Sequence, residues 1–147
     1  MEIDNLDMKI IDALVRNSKF SLRQIAKEVD SSVATIMNRI KRLEKEGVIL
    51  RYTTILDYEK MDYDYNVMID MRISKGKIIE VGAQFKSNPN VYGIFDITGP
   101  WDLTLLCRFK NRKGLDAFVK KLQTLPHVER TETKLVLSTL KGEPMKI

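Results

Sequence analysis

The sequence predicts an α+β fold, with an N-terminal winged helix-turn-helix domain and a C-terminal ferredoxin-like domain of element order βαββαβ. Two observations support this prediction. In residues 3–49, apolar residues recur at the three- and four-residue spacing of amphipathic helices. From Tyr65 onward, strand-like alternating segments are interleaved with two helical segments. We therefore expect a first domain over residues 1–50, a strand and hinge over 51–64, and a second domain over 65–147.

Composition narrows the class of protein. The 147 residues, 44% of them hydrophobic, suit one or two small globular domains. No apolar run approaches the length of a membrane span and no signal peptide opens the chain, so we expect a cytoplasmic protein. The single cysteine, Cys107, excludes an internal disulfide and a cysteine-based metal cluster, and we expect neither a metal nor a cofactor. Residues 16–51 hold nine basic and four acidic residues, an excess equal to the chain's net charge of +5, which favours a nucleic-acid partner.

Three helices are predicted in the first domain. The first begins at Asp4 or Asn5, which are typical N-caps, and the second covers residues 21–29. Asp30 to Ser32 interrupts the pattern, Ser32 caps the third helix, and Gly47 suits a left-handed end to it. The apolar positions are Leu6, Ile10, Ala13 and Leu14 in the first helix, Leu22, Ile25, Ala26 and Val29 in the second, and Ile36, Ile40 and Leu43 in the third. Two short helices joined by a tight turn indicate a helix-turn-helix.

The third helix has an outward face suited to DNA. At about 100° per residue, this face holds Ala34, Met37, Asn38, Lys41 and Lys45, with Arg42 nearby. Small Ala34 permits close approach, Asn38 can form paired hydrogen bonds with adenine, and the cations can reach phosphates. The alternative interpretation is a helical hairpin with a solvated basic face.

This segment resembles the DNA-binding domain of the Lrp/AsnC (feast/famine) transcription regulators. The family pattern is met by Ile25-Ala26, Ser32, Thr35, Arg39-Ile40, Leu43, Gly47 and Ile49, and its opening is approximated by Ile3, Asp4, Asp7, Ile10 and Leu14. Asp30 and Ser31 replace the family's Gly and apolar residue at the turn, where Asp can adopt a left-handed conformation. The resemblance and the outward face together give the predicted DNA-binding residues: Ser32, Ala34, Thr35, Met37, Asn38, Arg39, Lys41, Arg42 and Lys45.

The middle segment, residues 50–64, is rich in β-branched and aromatic residues and predicts a strand that serves as wing or hinge, followed by a turn through residues 60–62. Beyond it we expect strands over 65–73, 91–98, 103–109 and 128–140, with helices over 78–85 and 113–125. Both helices would cover one face of the sheet. Tyr92 and Ile94 would line the open face, which needs a partner subunit to cover it.

This second half resembles the regulator-of-amino-acid-metabolism domain of the same family. The resemblance implies dimerisation through the sheet and assembly of dimers into an octamer. Residues 97–103 are similar to the family loop that binds an amino acid between dimers, which implies effector contacts from Gly99, Pro100, Trp101 and Asp102, with Thr131 and Thr133 contributing. The alternative is a plain hairpin turn, since Pro100 lacks a backbone donor. Cys107 is expected to be a buried thiol and His127 a surface residue.

The sequence thus predicts a DNA-binding transcription regulator, not an enzyme, modulated by an amino acid or related small molecule. Three other functions stay open. The first is an enzyme, because sirohaem decarboxylases share this architecture. Those enzymes use histidines for catalysis, whereas this chain has a single histidine, and its sequence shows no catalytic pair of residues. A regulator that binds DNA without a ligand is another. A ligand sensor with a vestigial DNA domain is a further alternative, and the intact basic helix from Ser32 to Lys45 counts against it.

Overall fold

The computed structural model describes residues 2–145, which fall into two compact units. Of the described residues, the first unit contains 2–55 and 141–145, and the second is Leu56–Leu140. None of the helices in residues 2–145 is both long enough and apolar enough to cross a membrane.

The first unit contains three helices, α1 (Asn5–Arg16), α2 (Leu22–Glu28) and α3 (Val33–Lys45). Asp4 caps α1 in a reciprocal capping box with Asp7, and the hydroxyl of Ser32 caps α3. The cap at Ser32 is confirmed, and of the two candidates for α1 the cap is Asp4, because capping depends on short-range chemistry that the sequence displays.

The turns of the first unit are also as predicted. Asp30 adopts a left-handed conformation with a φ of 53°, and Gly47 ends α3 with a φ of 73°. The three helices enclose a small apolar core formed by Ile10, Ala13, Ile25, Ala26 and Ile36. The unit is therefore a helix-turn-helix domain supported by α1.

The prediction of a strand after α3 is wrong. Residues 50–57 form neither strand nor helix, although Tyr52 is held to α3 by a 2.9 Å hydrogen bond from its hydroxyl to Glu44. A β-branched sequence becomes a strand only when another strand pairs with its backbone, and residues 2–145 provide none here. The turn that follows is confirmed: a 3₁₀ turn over Glu59–Met61 ends at left-handed Asp62.

The second unit is a four-stranded antiparallel sheet covered by two helices. Its elements are β1 (Tyr65–Ile73), α4 (Ile78–Ala83), β2 (Val91–Asp96), β3 (Leu103–Phe109), α5 (Arg112–Gln123) and β4 (Val128–Leu135). The strand order β2-β3-β1-β4 is that of a ferredoxin-like fold, as predicted. β4 is shorter than expected because its pairing with β1 ends where Leu135 faces Val67.

The helices cover one face of the sheet. Val67, Ile69 and Met71 of β1 and alternate residues of β3 pack there against Phe118 and Leu122 of α5. Cys107 belongs to this core, as predicted, and burial raises the pKa of its thiol to about 12. His127 is exposed, also as predicted.

The open face of the sheet differs from the prediction at one residue. Tyr92 lies there and is about half exposed, but Ile94 packs against the core instead. The register of β2 against β3 shifts between Val91 and Gly93, and this bulge reverses the alternation of the residues that follow. Phe95 is therefore the residue of β2 that accompanies Tyr92, with 51% of its surface exposed.

Candidate nucleic-acid interface and effector loop

The outward face of α3 is exposed as predicted. Ala34, Met37, Asn38, Lys41 and Lys45 are all on the solvent side of the helix. Within residues 2–145, the side chains of Asn38, Lys41 and Lys45 form no hydrogen bond and no ion pair. Their polar groups are consequently available to an external partner.

The start of α3 is ordered by two hydroxyl groups. Ser32 Oγ accepts the backbone N–H of Thr35 at 3.0 Å and lies 2.8 Å from Thr35 Oγ1. The N-terminal end of a helix carries partial positive charge and unpaired N–H groups, which favour a phosphate. Both residues therefore lie where a DNA backbone contact is chemically reasonable.

Arg39 and Arg42 have a different environment from the other predicted DNA ligands. Arg39 Nη1 donates to both oxygens of Asp7 at 3.2 Å and also to Asp4, and Arg42 Nη2 donates to Asp7. The hydrogen bond with Asp4, followed by those with Asp7, raises the pKa of Arg39. The Asp7 backbone N–H and then Arg39 lower the pKa of Asp4 to about 2. The two guanidinium groups are thus directed to carboxylates at the start of α1, Asp4 of its cap and Asp7 of its first turn.

In the second unit, the loop between β2 and β3 is anchored to the end of β1. Asp102 Oδ2 accepts the backbone N–H of Ile73 at 2.8 Å, and the Asp102 N–H donates to the Met71 carbonyl at 3.0 Å. Arg72 Nη1 donates to the Pro100 carbonyl at 2.6 Å. Gly99 has a φ of 106°, a conformation that other residues rarely adopt. The loop is thus a fixed structure with an exposed tip.

The other predicted effector residues lie at or near the same end of the sheet. Thr131 is opposite Met71 in the pairing of β1 with β4, and Thr133 is opposite Ile69, farther from the loop. Trp101 is half-buried, with the Arg130 guanidinium 5.4 Å from its ring centroid. No hydrogen bond among the described residues joins either threonine to the loop.

Two residues near this loop were missed in the sequence, Arg72 and Arg130. Both carry a guanidinium group within reach of residues 100–102. The strand alternation could have placed them on the open face of the sheet, but their proximity to the loop depends on a strand register that the sequence does not display. Among residues 2–145, no cluster of three or more His, Cys, Asp or Glu side chains is arranged to hold a metal ion.

Comparisons with protein families account for both units. A family described as the Lrp/AsnC ligand binding domain matches residues 66–145, and one described as a winged helix-turn-helix DNA-binding domain matches residues 3–49. An uncharacterised HTH-type transcriptional regulator of Pyrococcus horikoshii is 38% identical over 143 residues, 97% of each chain. The HTH-type transcriptional regulator FL11 of the same organism is 34% identical over 95% of this chain and 92% of its own.

Solved structures extend the likeness to three dimensions. AsnC of E. coli has a TM-score of 0.91 with 24% identity over 100% of both chains, a level of identity that shows the fold alone. A transcriptional regulator of Neisseria meningitidis, solved as a complex with L-Met, has a TM-score of 0.89 with 25% identity over 97% of this chain and 94% of its own. The similarity therefore includes the α3 region as well as the loop region.

Proposed function

The chain belongs to the Lrp/AsnC family of DNA-binding transcriptional regulators. From this premise we propose that α3 recognises specific sequences of duplex DNA. We propose also that an amino acid bound at residues 99–102 modulates DNA binding. The observation that most supports DNA reading is the exposed, unpaired set of Asn38, Lys41 and Lys45 on one face of α3. Asn38 forms paired hydrogen bonds with an adenine edge, and the two lysines contact phosphates. Ala34 and Met37 allow the helix to approach the bases closely. Ser32 and Thr35, at the start of α3, contact the phosphate backbone of the DNA.

We propose further that the protein acts as a homodimer formed through the open sheet face, with residues 51–64 as the hinge. Met68, Tyr92 and Phe95 are exposed on that face to 39%, 47% and 51%, which leaves apolar surface for a second copy to cover. A dimer would present two α3 helices to successive major grooves of a pseudo-palindromic site. The resemblance to the family supports assembly of such dimers into an octamer.

The effector site rests on charges near the loop. Asp102 Oδ2 accepts a hydrogen bond from the backbone N–H of Ile73, and Asp102 Oδ1 has no hydrogen-bond donor among the described residues. Oδ1 can therefore accept an α-ammonium group, while Arg72 or Arg130 can pair with an α-carboxylate. The ligand-binding family match and the L-Met complex of the Neisseria protein support an amino acid as the effector.

Selection from a library of randomised DNA duplexes tests the DNA-binding proposal. Wild-type protein should enrich a site with two half-sites, separated by one helical turn or a multiple of it. Failure to enrich any sequence would contradict sequence-specific recognition.

A thermal-shift screen against the twenty amino acids, followed by analytical ultracentrifugation, tests the effector proposal. A ligand of the folded protein should raise the melting temperature and change the assembly. An Asp102→Asn variant, which keeps an acceptor oxygen but loses the charge, should lose most of this shift. If no amino acid shifts the wild type, the loop is a structural turn and the protein is a ligand-independent regulator.

A further inference from the structure

One acidic side chain of the first unit is completely buried at the contact between α1 and α3. Asp7 has 0% exposure. Its carboxylate accepts two 3.2 Å hydrogen bonds from Arg39 Nη1, one from Arg42 Nη2, and one from the Asp4 backbone N–H at 3.1 Å. A buried carboxylate is strongly unfavourable unless it is paired in this way, so the positions of the two arginines are tied to that of Asp7.

The anchored arginines adjoin the base-reading face of α3. Arg42 directly follows Lys41 and lies one helical turn after Asn38. Arg42 Nε is buried without a hydrogen-bond partner among the described residues. The hydrogen bond from Arg42 Nη2 to Asp7 is therefore the one that holds this guanidinium group within the described residues. A rotation of α3 about its axis would separate Arg39 and Arg42 from Asp7. The carboxylate therefore fixes the direction in which Asn38 and Lys41 point.

We propose that Asp7 is a positioning residue for DNA recognition: it acts through Arg39 and Arg42, holds the reading face of α3 in register with the bases, and does not itself touch DNA. This inference rests on the proposed function of α3. It assigns the two arginines an internal role, distinct from the phosphate contacts of Lys41 and Lys45.

Whether substitution of Asp7 raises or lowers the affinity for DNA distinguishes a positioning role from a purely electrostatic one. Asp7→Asn keeps the shape of the side chain but removes a negative charge close to the DNA-binding helix. If charge alone mattered, the variant would bind all DNA more tightly. If Asp7 positions α3, affinity for the selected site falls on the order of 5- to 150-fold, as for the loss of one paired base contact, while affinity for random duplex does not fall. The salt slope stays at the wild-type value, because no phosphate contact is removed.

Asp12→Asn is the matched control. Asp12 is on the same helix, is paired with Arg16 at 3.0 Å, and is about one-third exposed, so its substitution changes the charge equally without disturbing α3. A second variant, Arg42→Lys, keeps the positive charge but loses the planar fork that reaches Asp7. It should reproduce the loss of specificity and serves as the test if Asp7→Asn does not fold.

The experiment measures fluorescence anisotropy of each full-length variant on two labelled duplexes: the site selected by wild type, and a random sequence of equal length. Circular dichroism melts confirm that each variant is folded at the assay temperature. The proposal is overturned if Asp7→Asn behaves like Asp12→Asn, or if a folded Arg42→Lys keeps the wild-type preference. A wild type that does not discriminate between the duplexes refutes the proposed function itself, and the inference with it.

Discussion

Replacing Lys41 by Gln should reduce the salt dependence of DNA binding without affecting the fold. Lys41 is exposed and unpaired among the described residues, so the free energy of unfolding should change by less than about 0.5 kcal/mol. Each phosphate contact contributes about 0.9 to the slope of log affinity against log salt concentration. A dimer loses two contacts, so its slope should fall by about 1.8. Between roughly 50 and 200 mM salt, the variant should then lose about 12-fold less affinity than the wild type.

Anisotropy titrations at several salt concentrations, on selected and random duplexes, measure this slope. At low salt, Lys41→Gln should lower the affinity for both duplexes by the same factor, because a phosphate contact carries no sequence information. Lys113→Gln, an exposed lysine of α5 without an ion pair among residues 2–145, gives the same change in net charge and should leave the slope unaltered. An unchanged slope for Lys41→Gln, or equal changes for both variants, would refute the assignment.

Three further substitutions test other parts of the structure. Ser32→Ala removes the cap of α3 and should destabilise the protein by about 1 kcal/mol in chemical denaturation, and a variant as stable as wild type would contradict this role. Asp102→Ala leaves the Ile73 N–H without its acceptor and should cost about 1–3 kcal/mol, visible as a lowered melting temperature that Asp102→Asn largely restores. Phe95→Asp should dissociate the dimer in sedimentation velocity, whereas Ile79→Asp, which changes an exposed apolar residue of α4, should not; dissociation by both would show a non-specific effect.

Local chemistry explains why much of the first unit could be predicted. The cap at Ser32, the left-handed turn at Asp30 and the end of α3 at Gly47 each depend on a residue and its immediate neighbours. The limits of β1 and β3 were likewise predicted correctly, because both are central strands whose alternating residues are buried against the helices.

Features that depend on distant residues could not be predicted. The strand expected in residues 50–64 has no pairing partner in the described chain, and propensity alone does not form one. The bulge in β2 moves Ile94 into the core, a change that only the register with β3 reveals. Arg39 and Arg42 have the composition of a DNA-binding surface, yet Asp7, more than thirty residues earlier, determines where they point.

The most direct test of the account is a second DNA selection with Asn38→Ala in place of the wild type. Asn38 is exposed and unpaired among the described residues, so the variant should fold normally. If the outward face of α3 reads the bases, the new consensus should lose its preference at one position in each half-site and keep the rest. A consensus identical to that of the wild type would contradict the central claim that this face of α3 recognises the DNA sequence.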